Sequence, residues 1–235
     1  MHMLTALDAE RRALLHRRIR LIVTITIAYN VLEAIVALAA GTAASSIALI
    51  GFGLDSVIEV LSAAAVAWQF TRREPERWEQ PTLRVIAIAF FALAAYVTGS
   101  AVVALIGGGE AEHSPIGIVL TAISVALMPM LSYAERRAGR ELGSATAVAD
   151  SKQTLICAYL SAAVLIGLLL NTALGWWWAD PAAGLVIAVF AIREGIEAWK
   201  GDACATSVGM LLEDEDHDHD HDHDHDHDHD HDHDG

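Results

Sequence analysis

Six long apolar segments constrain the fold of this chain more than any other feature. A membrane-spanning helix needs about 20 mostly apolar residues. Here 54% of the 235 residues are hydrophobic, which is more than a soluble domain of this length would carry. The sequence therefore predicts an all-α membrane protein with six transmembrane helices. The predicted spans are Leu21–Ala40, Ala44–Phe70, Val85–Ile106, Pro115–Tyr133, Thr154–Leu174 (beginning earlier, near Ala145) and Trp176–Trp199.

Basic residues are distributed unevenly between the connections. Five arginines precede the first span, four lie between the second and third, and three lie between the fourth and fifth. The other three connections contain no Lys or Arg. Because basic connections stay on the cytoplasmic side, both termini are predicted to be cytoplasmic. The predicted division is a basic cytoplasmic segment at 1–20, a transmembrane domain at 21–203 and a disordered His/Asp-rich tail at 204–235.

Two carboxyl groups lie in the middle of the second span. Asp55 and Glu59 are four residues apart, so a helix places them on one face. Acids at this depth are costly and usually serve a function, such as an ion path, a proton relay or a substrate site. Two adjacent carboxylates repel unless a cation lies between them or one is protonated. A hydrogen-bonded pair of acids, one of them protonated, is the structural alternative.

The fifth span carries a polar face that could meet these acids. A rise of about 1.5 Å per residue places Cys157 nearest in depth to Glu59, and Asp150 nearer the cytoplasmic mouth. Cys157 is either a metal ligand or a small packing residue. The residues that share this face by helical spacing are Asp150, Gln153, Thr154, Cys157 and Ser161.

Other polar residues have simpler interpretations. Asn30 and Glu33 in the first span are predicted to be interhelical hydrogen-bonding groups or a vestibule, with a ligand role as the alternative. The third and fourth spans contain no charge and are predicted to be scaffold. Asp180, at the outer mouth of the sixth span, is predicted to be solvated or paired. Ser56, Thr154 and Ser161 are predicted to form helix–helix hydrogen bonds.

Several of these segments together resemble a known family. They are Asp55-Ser56-Val57-Ile58-Glu59, the preceding GTAASSIALIGFGL, Ala149-Asp150 at the start of the fifth span, and WADPAAGLVIA in the sixth. Over roughly residues 16–200 the chain is similar to the cation diffusion facilitator family of divalent-metal/proton antiporters. The resemblance implies six spans, cytoplasmic termini and a metal site shared by the second and fifth spans.

The resemblance also implies ligand positions. These positions are Asp55, Glu59, Gln153 and Cys157. Glu59 stands where the family usually has Asp, and Gln153 and Cys157 stand where it has His or Asp. A site with Cys157 is softer and suits zinc or cadmium. In the other possible register, Asp150 and Thr154 face the acids, and manganese or iron(II) becomes the better substrate. The cytoplasmic metal-binding domain of the family is not found after the sixth span, so a homodimer is expected to be held by membrane helices.

The C-terminal tail is a low-complexity segment. Residues 217–234 are nine His-Asp repeats with no apolar side chain, so the tail is predicted to be disordered. Imidazole and carboxylate groups together suit zinc and related ions. The tail is predicted to collect metal ions weakly beside the pore, and the alternative is a solvated acidic tail.

These observations predict a multi-pass cell-membrane protein of the prokaryotic inner membrane that exports divalent transition-metal ions, zinc first, in exchange for protons. No prosthetic group and no nucleic-acid partner are expected. The sequence contains no nucleophile–base set and no HExxH motif that would indicate an enzyme. One alternative is a metal-gated channel or importer, which flux independent of a proton gradient would favour. Another is a membrane sensor or chaperone that acts through the tail.

Overall fold

A computed structural model describes residues 2–70, 75–108, 111–142 and 145–201, and the described chain forms six helices. No strand occurs within these ranges, which confirms the predicted all-α fold. The His/Asp tail lies outside the described residues. The helices are α1 (His2–Ala44), α2 (Ile47–Phe70), α3 (Pro75–Gly107), α4 (Pro115–Leu142), α5 (Ala145–Leu174) and α6 (Ala179–Lys200).

Five of the six helices, α1 to α5, are long and apolar enough to cross a membrane. The sixth, α6, is not among them; it is the shortest helix, and five of its 22 residues are charged. Large apolar side chains cover the outer surface of the bundle; Ile106, for example, is 83% exposed, as expected for a surface that faces lipid. The orientation of the termini stays a prediction. So does the domain division, although α1 runs without a break through the predicted boundary at residue 20.

Helix α2 lies at the centre of the bundle. It contacts α1, α3, α5 and α6, while α4 packs mainly on α5 and α3 mainly on α6. Leu49 and Phe52 of α2 are almost completely buried in a core that also receives side chains from α1, α4, α5 and α6. On its other side, α2 packs against a second core between α3 and α6. The acidic residues of the second span are therefore held inside the protein rather than facing lipid.

Two glycines bring α1 and α2 unusually close together. A Cβ atom at Gly53 would lie 2.9 Å from Cγ and 3.0 Å from the backbone N of Leu38. A Cβ atom at Gly41 would lie 2.8 Å from the backbone N of Ile50. Small residues at such crossings let membrane helices approach until their backbones pack directly. This contact places the polar face of α1 beside the acids of α2.

The N-terminus of α2 is capped from its own chain and from α6. The Ser46 hydroxyl accepts a hydrogen bond from the backbone N–H of Leu49 at 3.1 Å. Asp180, in the first turn of α6, accepts from Ile47 N–H at 2.8 Å and from the Ser46 hydroxyl at 2.5 Å. Asp180 is only 1% exposed, so it is paired and buried rather than solvated. A carboxylate here satisfies free N–H groups and interacts favourably with the helix dipole.

We expect Asp180→Ala to lower the stability of the folded protein by about 1–2 kcal/mol, because a helix cap and its buried acceptor are lost. Unfolding of the purified protein in detergent, followed by circular dichroism, measures the difference. Asp180→Asn keeps an oxygen acceptor and is expected to lose less. An alanine variant as stable as the parent protein would contradict this role.

Candidate metal site

Glu59 is the centre of a polar cluster formed by three helices. Its Oε2 atom accepts a hydrogen bond from Asn30 Nδ2 on α1 at 2.9 Å. Its Oε1 atom accepts from Cys157 Sγ at 2.7 Å and from Gln153 Nε2 at 3.3 Å, both on α5. The two α5 residues reach the same oxygen because their spacing of four places them on one helix face. The structure thus brings together Glu59, Gln153 and Cys157.

Asp55 lies one turn before Glu59 on the same helix. It is only 7% exposed and takes part in none of these hydrogen bonds. It is close enough to Glu59, Glu33 and Glu194 to interact with them electrostatically. All of these neighbours are acidic, so a cation in this region would relieve their mutual repulsion.

The alternative pair on α5 is placed differently. Thr154 Oγ1 donates to Glu135 Oε2 on α4 at 3.4 Å, on the side of α5 that packs against α4. Asp150 belongs to α5, but its side chain lies outside what the structure describes. Which of the two α5 pairs serves the metal stays a prediction, as does the ligand role of each of the five residues named from the sequence.

The described side chains do not form a ready metal cage. Within residues 2–70, 75–108, 111–142 and 145–201, no three His, Cys, Asp or Glu side chains lie close enough to hold one ion. Two of the predicted ligands, Cys157 and Gln153, do contact Glu59 directly. Glu59 is instead surrounded by N–H and S–H donors, and Asp55 lies outside this cluster.

A second buried network surrounds Glu33. This residue is 1% exposed and accepts hydrogen bonds from Ser56 of α2 at 3.0 Å and from Ser124 of α4. The Ser124 hydroxyl also lies 2.7 Å from the hydroxyl of Tyr29. Glu33 therefore joins α1, α2 and α4 through interhelical hydrogen bonds, next to the cluster around Glu59.

Helix α4 is more polar than the plain scaffold predicted for the fourth span, although the contacts described are hydrogen bonds between helices. Helix α4 supplies Ser124 to Glu33 and Glu135 to Thr154, and both α4 side chains are almost fully buried. Glu135 was missed because the apolar segment ends at Tyr133, which assigned the residues after it to a connection. The helix continues to Leu142. Glu135 lies eleven residues after Ser124, close to three helical turns, and this spacing could have placed both on the same face of α4.

Residues 23–200 match the sequence model of the cation efflux transmembrane domain. The chain belongs to the cation efflux family. Members of this family are multi-pass membrane proteins and transporters rather than enzymes, in agreement with the helical bundle described above.

Individual relatives match parts of this cation efflux protein. It is 33% identical over 110 residues to the cation-efflux pump FieF of Shewanella oneidensis, covering 44% of this chain and 37% of the relative. It is 24% identical over 197 residues to an uncharacterized transporter of Methanocaldococcus jannaschii, covering 80% and 68%. An uncharacterized transporter of Synechocystis is 28% identical over 150 residues, covering 60% and 48%. The chain thus spans between about a third and two thirds of the curated relatives it matches.

We expect Glu33→Ala to destabilise this cation efflux protein by about 1–3 kcal/mol, because it removes the shared acceptor of two buried hydroxyl groups. Glu33→Gln keeps one oxygen acceptor and is expected to lose less. Glu112→Ala, at an exposed position, is the matched control and should leave stability unchanged. Denaturant unfolding in detergent compares the variants, and equal stability of Glu33→Ala and the control would refute the role.

Proposed function

We propose that this protein exports divalent transition-metal cations, with zinc as the favoured ion and cadmium as the alternative. The observation that carries the proposal is the contact of 2.7 Å between Glu59 on α2 and Cys157 on α5, inside the membrane-spanning bundle. Membership of the cation efflux family supports transport, and the name of the Shewanella relative supports efflux as its direction.

In this proposal the transported ion binds between α2 and α5. Asp55, Glu59 and Cys157 are its ligands, and Gln153 or Asp150 is the fourth. Carboxylate and thiolate groups in a four-coordinate arrangement are typical of zinc sites. Binding would draw Asp55 towards Glu59, because a divalent cation converts the repulsion between the two carboxylates into a shared attraction.

Proton exchange follows from the same contact. The Cys157 thiol donates its hydrogen to Glu59, and a thiol must lose this proton before its sulfur can bind a metal ion. Each binding event therefore releases a proton, and each release of metal allows a proton to return. Coupled to a change in access from one side of the membrane to the other, this exchange makes the protein an antiporter.

The packing of the two ligand-bearing helices supports alternating access. Helices α2 and α5 share a much smaller interface than α4 shares with α5 or α3 with α6. Outside the metal site, the two helices meet mainly in the apolar core that contains Leu49 and Phe52. At the level of Glu59 and Cys157 the ion would be the main group that joins them, and its departure would free this part of the interface to open.

We expect Asp55→Ala and Glu59→Ala each to abolish zinc transport without preventing membrane insertion, because removing a buried acid makes the span more apolar. Zinc uptake into inside-out vesicles, with and without a pH gradient, is the measurement, and protein in the membrane fraction reports insertion. Exposed Glu112→Ala is the control. Normal transport by either variant would contradict the site, and uptake insensitive to the pH gradient would contradict antiport.

The choice of α5 ligands has its own test. If Cys157 is a ligand, Cys157→Ser is expected to weaken cadmium transport more than zinc transport, because a soft sulfur donor is replaced by oxygen. Asp150→Asn should then have the smaller effect. Transport of both metals by each variant is compared in the same vesicles. An inactive Asp150→Asn beside a normal Cys157→Ser would reverse the assignment and make manganese or iron(II) the better substrate.

A further inference from the structure

The amide group of Asn30 is only half satisfied. Its side chain is 7% exposed, and its Nδ2 atom donates to Glu59 Oε2 at 2.9 Å. Its Oδ1 atom is fully buried and has no hydrogen-bond partner among the described residues. A buried polar atom without a partner typically costs about 1–3 kcal/mol. Such an atom in the interior of a folded protein therefore requires a specific explanation.

Gln153 shows the same pattern on the opposite side of Glu59. Its Nε2 atom donates to Glu59 Oε1 at 3.3 Å, and its Oε1 atom is buried without a partner within the described chain. Two amides thus donate to the two oxygens of one carboxylate, and each keeps an unused oxygen. Amide oxygens are acceptors only, so the unmet bonding capacity around Glu59 suits a cation or a neutral hydrogen-bond donor and excludes an anion. Beside several acidic side chains, a cation is the better electrostatic match.

We infer that Asn30 is a ligand of the transported cation, so that the site is formed by three helices rather than two. This inference rests on the proposed function. Rotation of the terminal amide about χ2 exchanges its NH₂ group for its oxygen with almost no change in volume, and this torsion has a broad, roughly two-fold preference. In the empty protein the NH₂ group offsets the charge of Glu59. When the cation arrives, the oxygen turns towards it.

The helix packing groups Asn30 with the ligands on α2 rather than with those on α5. Gly41 and Gly53 hold α1 and α2 in close backbone contact, so Asn30 and Glu59 belong to one closely packed unit. Cys157 and Gln153 belong to α5, which packs mainly on α4. The ligands therefore divide into an α1–α2 group and an α5 group. Asn30 would stay with Glu59 when the two groups separate, and its amide would replace the departing ion as the group that faces the carboxylate.

Asn30→Cys tests for direct contact with the ion. A thiolate at this position would add one sulfur to the cadmium shell, and X-ray absorption at the cadmium edge counts sulfur ligands. The full chain in lipid nanodiscs, with Cys204→Ser as the background, is the parent. Asn171→Cys is the matched control, because Asn171 is also a buried asparagine but donates to the backbone oxygen of Ala111 at 2.8 Å. We expect one additional sulfur for Asn30→Cys and none for the control.

Affinity measurements supply the second readout. We expect Asn30→Ala to weaken cadmium binding by about tenfold or more in titration calorimetry, a loss typical of damage to a metal site. Asn30→Asp is nearly isosteric and keeps an oxygen, so it should bind manganese better relative to cadmium. If Asn30 served only as an N–H donor to Glu59, Asn30→Asp would lose both metals because it replaces a donor by a like charge.

The outcomes separate the two proposals. An unchanged sulfur count in cadmium-bound Asn30→Cys, or loss of both metals in Asn30→Asp, overturns the ligand role of Asn30 and leaves the proposed function standing. A parent protein that binds no cadmium, or whose binding survives both Asp55→Ala and Glu59→Ala, overturns the proposed function and with it this inference.

Discussion

The burial of acidic side chains inside a bundle of apolar helices governs the arrangement of this protein. Glu33 and Asp55 are buried within the spans and Glu59 is partly buried there, so each needs hydrogen-bond partners or a compensating charge. Glu33 is satisfied by serine hydroxyls from two other helices. Glu59 is satisfied by amide and thiol donors from α1 and α5. These demands fix which helix faces meet, while the apolar side chains around them fill the remaining space.

The hydrogen-bond partners of Glu59 can rearrange more easily than those of Glu33. The serine hydroxyls beside Glu33 also lie within hydrogen-bond distance of carbonyl oxygens in their own helices, so backbone geometry restricts their positions. The amides around Glu59 have two chemically different ends and can present either one. The same three helices can therefore accommodate a bare carboxylate or a carboxylate that shares a metal ion. This difference distinguishes the surroundings of Glu59 from those of Glu33 better than burial does.

Much of the architecture was predictable from the sequence, because the length of apolar segments and their polar interruptions report directly on helices in a membrane. The same periodicity placed Gln153 and Cys157 on one face, and depth counting placed Cys157 level with Glu59, as the structure shows. Glu135 could not be found in this way because it lies beyond the apolar segment. The pairing of Asp180 with the N-terminus of α2 depends on a contact between residues 134 positions apart, which no local pattern reports.

The cap formed by Asp180 and Ser46 also gives α2 a fixed point. It ties the N-terminal end of α2 to the first turn of α6. Glu59 lies thirteen residues beyond Ser46, or about 20 Å at the rise of an α-helix. Beyond this anchor, α2 packs much less extensively against α5 than against α1. A tilt of about 10° around the cap would displace Glu59 by about 3 Å, on the scale of one metal–ligand bond length. A small rotation about this buried cap would then change the distances between the proposed ligands inside the bundle.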